Sequence, residues 1–481
     1  MLSTLEAIRD YFYTSTIAYT WIGPSAFNLI GLDHWIPHVR YLCLIDSFDG
    51  QHPRVKSPSH QQGTPTFNHC EEINAYLIEH KESVHFLTTT SPVLFLFFNE
   101  GLETLCNHLH IPIMLPPHHL VKKIDSKLAT TRLGNQIGVT SVPHVLAKID
   151  SFSTAQSLAA QHNLGEQWVV QTAYGDSGKT TFFIKTPEEY ATYASAIESE
   201  SCVKLMKKIR CQNIAIEGCA TRHGTFVGPV LSELAGDPAL TPYLGGWCGN
   251  DWQSSGWAFS IKQQVVEATK KLGAALYTQG YKGCFEVDYL LDLDTDHVYL
   301  GELNPRLSGV TALTSATPFC QEYLPLFLFH LLEFGDVDWK ICPEFYNNAS
   351  LYFESEHALG QLIFKHIDAT LSIIEKAPVS GIYCLDDKGQ LQFKYAGRSP
   401  LDIQDPQDVF LFRIMGQSEW GYPGSDLAIL FTRIPIQKNG NLSPQAHLWV
   451  SALRDAYIMR APNASEQLLI DRYRYPGASL K

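Results

Sequence analysis

The 481-residue chain has none of the cysteine spacings that organise a metal or a redox couple. Its eleven cysteines, at 43, 70, 106, 202, 211, 219, 248, 284, 320, 342 and 384, form no C-x-x-C pair and no Cys/His zinc pattern. An odd, scattered set is expected of reduced, buried thiols, and so of a cytoplasmic protein. Long apolar runs are missing too. The longest, residues 93–98 and 324–332, are too short to span a bilayer. The opening MLSTLEAIRDYFYTST has no apolar core region or small-residue cleavage site, so no signal peptide is expected. Positive charge is scarce: 36 Lys and Arg stand against 49 Asp and Glu, a net charge of −13. Without a basic face, general binding to nucleic acid or an anionic membrane is excluded, although a local cationic pocket is not. Internal repeats and low-complexity tracts are absent.

What is present is a large globular composition. Apolar residues make up 45% and charged residues 18%, which excludes disorder, and the length calls for two to four domains or subdomains. Residues 1–115 alternate strand-like and helix-like patterns. YLCLI at 41–45, residues 84–87 and IPIML at 111–115 read as strands, and 73–79 and 102–108 have helical spacing. That alternation predicts a small, mostly parallel α/β unit. No glycine-rich dinucleotide fingerprint follows any of its strands. Residues 47–65 form a long, turn-rich loop. Residues 120–137 read as one helix, and beyond about 340 short β-runs and turns predict a separate β-rich domain without a chemical motif.

The densest chemistry lies in CFEVDYLLDLDTDHVYLGELNPR. Two apolar stretches flank the polar turn DLDTD, the pattern of a β-hairpin. Pairing of its strands brings Asp288 near Glu302, while Glu302 and Asn304 share a face because strand side chains alternate. Hard oxygen donors so arranged suit Mg²⁺, with Mn²⁺ as a substitute. Arg306 follows two residues along, placed to meet an anion beside the metal. Gly301-Glu302 interrupts an apolar strand, where a carboxylate is costly unless something binds it. A solvated hairpin with an ordinary Asn-Pro turn is the simpler alternative.

WVVQTAYGDSGKTTFFIK, residues 168–185, contains Gly178-Lys179-Thr180 but is not a Walker A loop. Position 173 is Ala, and TTFFIK is β-prone where a helix would have to begin. The segment therefore predicts strand, glycine-rich turn, strand. Gly175 and Gly178 let backbone amides close over phosphates, with Ser177, Lys179 and Thr180 supplying donors and charge. Between this loop and the hairpin, GGWCGNDWQSSGW at 245–257 has no periodicity and reads equally as a substrate-side loop or a structural turn.

In G-Y-K-G at 280–283, Asp288 and E-L-N-P-R at 302–306, the chain resembles the ATP-grasp superfamily. Motifs match over about residues 80–340. The resemblance implies an α/β (α+β) protein with three parts: a Rossmann-like pre-ATP-grasp domain at 1–115, a two-lobed ATP-grasp domain at 116–340 (lobes 116–205 and 206–340), and a β-rich domain at 341–481. It further implies that Lys127, in IDSKLATTRLGNQIGVTSVP, reaches the nucleotide phosphates. The segment KLMKKI at 204–209, with Met206 and Lys207, is similar to the hinge that grips adenine. Glu217 is set to accept ribose hydroxyls, a solvent-facing strand glutamate being the plainer alternative. The family usually has a lysine on the strand before the glycine loop, where this chain has Gln171. An amide brings no charge, and Lys179 is the candidate to replace it.

The chemistry implied is ATP-dependent joining of a small carboxylate to an amine, amino acids or peptides foremost, through an acyl phosphate. Asp288, Glu302 and Asn304 would hold Mg²⁺, with Arg306 and Lys179 as the catalytic cations. A homodimer is compatible with such a ligase. Two other readings stay open. A biotin-carboxylase-type enzyme would activate bicarbonate, but LSGVTALTS follows Arg306 where carboxylases carry a Gln-Val-Glu-His segment, and no A-M-K-M sequence is present. A nucleotide-binding scaffold without catalysis is suggested by Gln171 and opposed by the full metal-and-arginine set.

Overall fold

A computed structural model describes residues 1–58, 67, 69–83, 86–87, 91–175, 180–252, 256–438 and 440–467. Its first sheet has the strand order Val55–Lys56, Arg40–Cys43, Thr20–Gly23, Val93–Phe95, every pair parallel. Such strands are covered on both faces and so carry continuous apolar side chains, here Trp21, Ile22, Tyr41 and Leu42, all buried. The helices Cys70–Glu79 and Glu100–His108 lie where the helical spacing puts them. The edge strand differs from expectation. It is Val93–Phe95; residues 84 and 85 lie outside the described residues, and 111–115 contribute only an isolated bridge from Ile113 to Val93.

Residues 120–137 form two helices, not one: His118–Ile124 and Lys127–Ile137. Ser126 breaks the run because its hydroxyl caps the second helix, accepting from the Ala129 amide. The cap places Lys127 at the first helical position.

A four-stranded antiparallel sheet follows, in the order His144–Ala147, Val203–Lys207, Trp168–Gln171, Thr181–Ile184. The two expected strands therefore pair, with residues 176–179 between them outside the described residues, and KLMKKI, which precedes the strand Cys211–Thr221, itself supplies most of Val203–Lys207. The outer face of this small sheet buries Trp168, Val170, Phe182, Ile184 and Leu205 together with residues of helices Phe152–Gln161 and Pro187–Ser199. The second helix begins with a capping box between Thr186 and Glu189.

Among the described residues the large sheet holds eleven strands. From one edge it runs Val298–Asn304, Gly283–Asp292, Cys211–Thr221, Leu231–Ala235, Trp247–Trp252, Leu359–Lys365, Asp426–Thr432, Val409–Arg413, Gly381–Leu385 and Leu391–Tyr395, with Gly224–Val227 paired to Cys211–Thr221. One face packs on helix Phe259–Thr278, whose Ile261, Val265, Leu272 and Leu276 recur at helical spacing and bury Ile214, Ile216, Phe285, Val287 and Tyr289. Two expectations are corrected. The segment 245–257 supplies a central strand, Trp247–Trp252, among its described residues. That strand pairs with Leu359–Lys365, so the β-rich tail continues the same sheet and is not structurally separate. The sequence pattern hides the continuity because Gly249, at φ +145, replaces a side chain where the backbone of Gln361 presses close.

At the start of the hairpin, Gly283 adopts φ +100 and lies under the His330 ring. His330 Nδ1 accepts from the Cys284 amide at 3.0 Å, and Nε2 lies 2.8 Å from the Met114 carbonyl. With Nδ1 accepting, Nε2 carries the proton. This ring ties the hairpin to the end of the N-terminal unit. Among the described residues, no helix is long and apolar enough to cross a membrane.

Candidate active site

A cavity of about 1170 Å³ opens between the small and large sheets, and its lining draws on the N-terminal unit and the tail as well. The small sheet presents Val169, Gln171, Thr181, Phe183 and Met206 to it. These share a face because they alternate along their strands and Gln171 stands opposite both Thr181 and Lys204 in register. Val142, Val169, Met206, Ile209 and Leu290 make an apolar patch at this wall, with Lys207 exposed beside it.

The facing wall is acidic. Asp288 stands opposite Glu302, and Glu286 opposite Asn304, across the hairpin. Asn304 Nδ2 donates to Glu286 Oε2 at 2.6 Å and to Asp288 Oδ2 at 3.4 Å, which orients its Oδ1 toward Arg306 Nη1 at 2.5 Å. Arg306 lies 3.9 Å from Asp125 and stacks on the Phe97 ring at 5.5 Å. Lys127 is buried and reaches two partners, Glu302 Oε1 at 3.0 Å and the Gly175 carbonyl at 2.7 Å. Glu233, from the next strand but one, joins the cluster and accepts from Asn213 at 3.1 Å.

Crowding of these acids shows in their protonation. Burial is the largest effect on Asp288 and, with the charge of Glu302, pushes it up to about 6 against the pull of Lys127 and Arg306. Burial first, then the Asp288 charge, raises Glu286 and Glu233 well above the carboxylate range. Among the described residues, no three His, Cys, Asp or Glu side chains already converge at a metal-binding geometry. Glu302 is engaged by Lys127, and the third donor is the Asn304 amide. The donor set nevertheless fits Mg²⁺. All its atoms are hard oxygens, and excess negative charge held in low dielectric is relieved by a cation.

Lys127, Gln171, Gly175, Met206, Lys207, Asp288, Glu302, Asn304 and Arg306 are thus brought to one region. Thr180 sits beneath Gly175, whose φ of +147 and missing Cβ admit that close approach. Ser177, Gly178 and Lys179 lie outside the described residues. Glu217 is a correction. It is 2% exposed, accepts from the Thr311 hydroxyl at 2.5 Å, and is sealed beneath the short helix Thr311–Ala316, away from the cavity. It is therefore neither a ribose contact nor a solvent-facing strand residue. Sequence reasoning missed Glu286, Glu233 and Asp125. Alternation from Asp288 could have found Glu286; the others depend on pairings between distant segments.

No family model and no curated protein matches the chain. Its fold does match solved structures. Biotin carboxylase from Campylobacter jejuni, solved as a β-γ-ATP complex, matches with a TM-score of 0.60 at 12% identity, covering 96% of each chain. N5-carboxyaminoimidazole synthase from Aspergillus clavatus, solved with ADP and 5-aminoimidazole ribonucleotide, gives 0.54 at 13% identity over 90% of this chain and 99% of that one. An L-amino acid ligase from Bacillus licheniformis gives 0.53 at 13% identity over 93% and 99%. The fold is the ATP-grasp fold, with the parallel-sheet unit and antiparallel β-rich parts seen in these neighbours.

Proposed function

We propose that this protein is an ATP-dependent carboxylate–amine ligase that forms an amide or peptide bond and releases ADP and phosphate. One observation carries the reading: Lys127, the Gly175 turn and the Asp288–Glu302–Asn304–Arg306 hairpin, distant in sequence, meet at one cavity. The apolar patch around Met206 suits a purine ring, and the charged end suits its phosphates. Mg²⁺ held by Asp288, Glu302 and Asn304 would supply charge that offsets the phosphate oxygens. Lys127 neutralises the phosphate end and fixes Glu302. A substrate carboxylate oxygen bonds to the γ-phosphorus as the bond to ADP breaks, and the amine nitrogen then displaces phosphate from the acyl carbon. Arg306, a permanent cation, stabilises the oxyanion of that second step.

A bicarbonate-activating reading draws on the likeness to biotin carboxylase over 96% of both chains. The segment after Arg306 speaks against it, since it reads LSGVTALTS, without the Gln, Glu and His that carboxylases carry there. Incubation with ATP, amino acid pairs and hydroxylamine separates the readings. The ligase forms a hydroxamate and ADP with both organic substrates present, whereas ADP release driven by bicarbonate and free biotin would favour the second. AMP as the product would sink both.

A further inference from the structure

We propose that Lys204 is a phosphate-binding residue of the nucleotide site, a role that rests on the ATP-dependent reading above. Lys204 lies on the cavity-facing side of the small sheet, two residues from Met206 and directly opposite Gln171. Side chains opposite one another in an antiparallel pair emerge together, about 5 Å apart at Cβ. The lysine is 1% exposed, yet its ammonium makes no hydrogen bond or ion pair with a described residue. Its nearest charges are Glu302, which favours the ammonium, and Lys127, which opposes it. Glu302 is already engaged by Lys127 at 3.0 Å.

A buried ammonium without a partner is strongly disfavoured. An anion arriving between Lys127 and Lys204 removes that penalty. A polyphosphate entering past the Gly175 turn has the charge and the oxygens to meet both lysines. Gln171 beside it donates to Thr181 at 3.2 Å and adds polarity without charge. The cation is thus displaced by one strand from the Gln171 position.

The test measures ADP, AMP and adenosine affinity of the purified chain by calorimetry with Mg²⁺, for wild type, Lys204→Met and Lys204→Gln. Both variants should hold or raise the melting temperature of the free protein, because each removes a buried unpaired charge. ADP affinity should fall about ten- to a hundredfold, the effect of one charge-assisted contact, while adenosine affinity stays within about threefold. Adding Gln171→Lys to Lys204→Gln returns an ammonium from the neighbouring strand and should recover most of the ADP affinity. ADP binding unchanged in both variants overturns the assignment while leaving the function reading intact. Equal losses for ADP and adenosine also overturn it, as general damage. A wild-type chain that binds no nucleotide overturns this inference and the reading it rests on together.

Discussion

The two walls of the cavity differ in kind. The small sheet offers Val169, Met206 and Phe183, with the buried Lys204 on the same face beneath them. The large sheet offers Glu286, Asp288, Glu302 and Glu233, of which Glu286, Asp288 and Glu233 are raised in protonation first by burial and then by neighbouring acid charge. Neither wall is electrostatically satisfied alone. Lys127 is the direct bridge, contacting Glu302 on one side and the Gly175 carbonyl on the other. A ligand that is apolar at one end and polyanionic with a cation at the other satisfies both walls at once. That is the shape of Mg-ATP, and the contrast explains why the site is carved between sheets and not within one.

The strongest way to break the contrast is to take charge from the acidic wall. Glu302→Gln and Asp288→Asn should each lower ADP-releasing turnover at least about a hundredfold. Asp288→Asn should melt near or above wild type, since like charge is removed from a crowded site, whereas Glu302→Gln should melt lower, because it takes the ion-pair partner from buried Lys127. Wild-type turnover in either variant would withdraw that residue's metal role. Arg306→Lys comes next. The guanidinium bonds Asn304 and lies over the Phe97 ring, a planar fork that a flexible ammonium cannot reproduce. Turnover should drop about a hundredfold with ATP affinity changed less than about threefold, the pattern of an interaction made mainly in the transition state. Equal losses in rate and affinity would recast Arg306 as a ground-state contact.

The acidic wall was the legible one. Asp288, Glu302, Asn304 and Arg306 lie within one hairpin, whose register follows from alternation and a polar turn. The small sheet was legible only in part. Its glycine turn is a local signal, whereas Lys204 shares the face of Gln171 only because residue 204 pairs with residue 171, thirty-odd positions away in sequence. The same limit hid Trp247–Trp252. A strand with Gly249 at its centre has no readable period, yet it joins the tail to the central sheet. As a result Met415, Tyr422 and Gln437 of the tail reach the cavity, although the tail carries no motif. Glu217 failed in the opposite direction. Its place on the Cys211–Thr221 strand puts it opposite Glu286, but the Thr311–Ala316 helix covers it.

Glu217 therefore sharpens the comparison within the acidic wall, between carboxylates open to the cavity and one that is closed off. Burial raises its carboxyl from the ordinary 4.5 to about 7, only partly opposed by hydrogen bonds from Thr311 and Thr314. The folded chain holds this proton more tightly than the unfolded chain does. The resulting stability is complete below about pH 4.5 and is lost as pH rises through about 7, by up to about 3 kcal/mol. Glu217→Gln carries no titrating proton and keeps an acceptor for Thr311. Its melting temperature should match wild type near pH 4 and exceed it by several degrees at pH 8, with ATP affinity unchanged at both. A pH-independent difference in melting would mean that the carboxyl is not held protonated. A loss of ATP affinity would return Glu217 to the nucleotide site, and the division of the wall into open and sealed acids would fail with it.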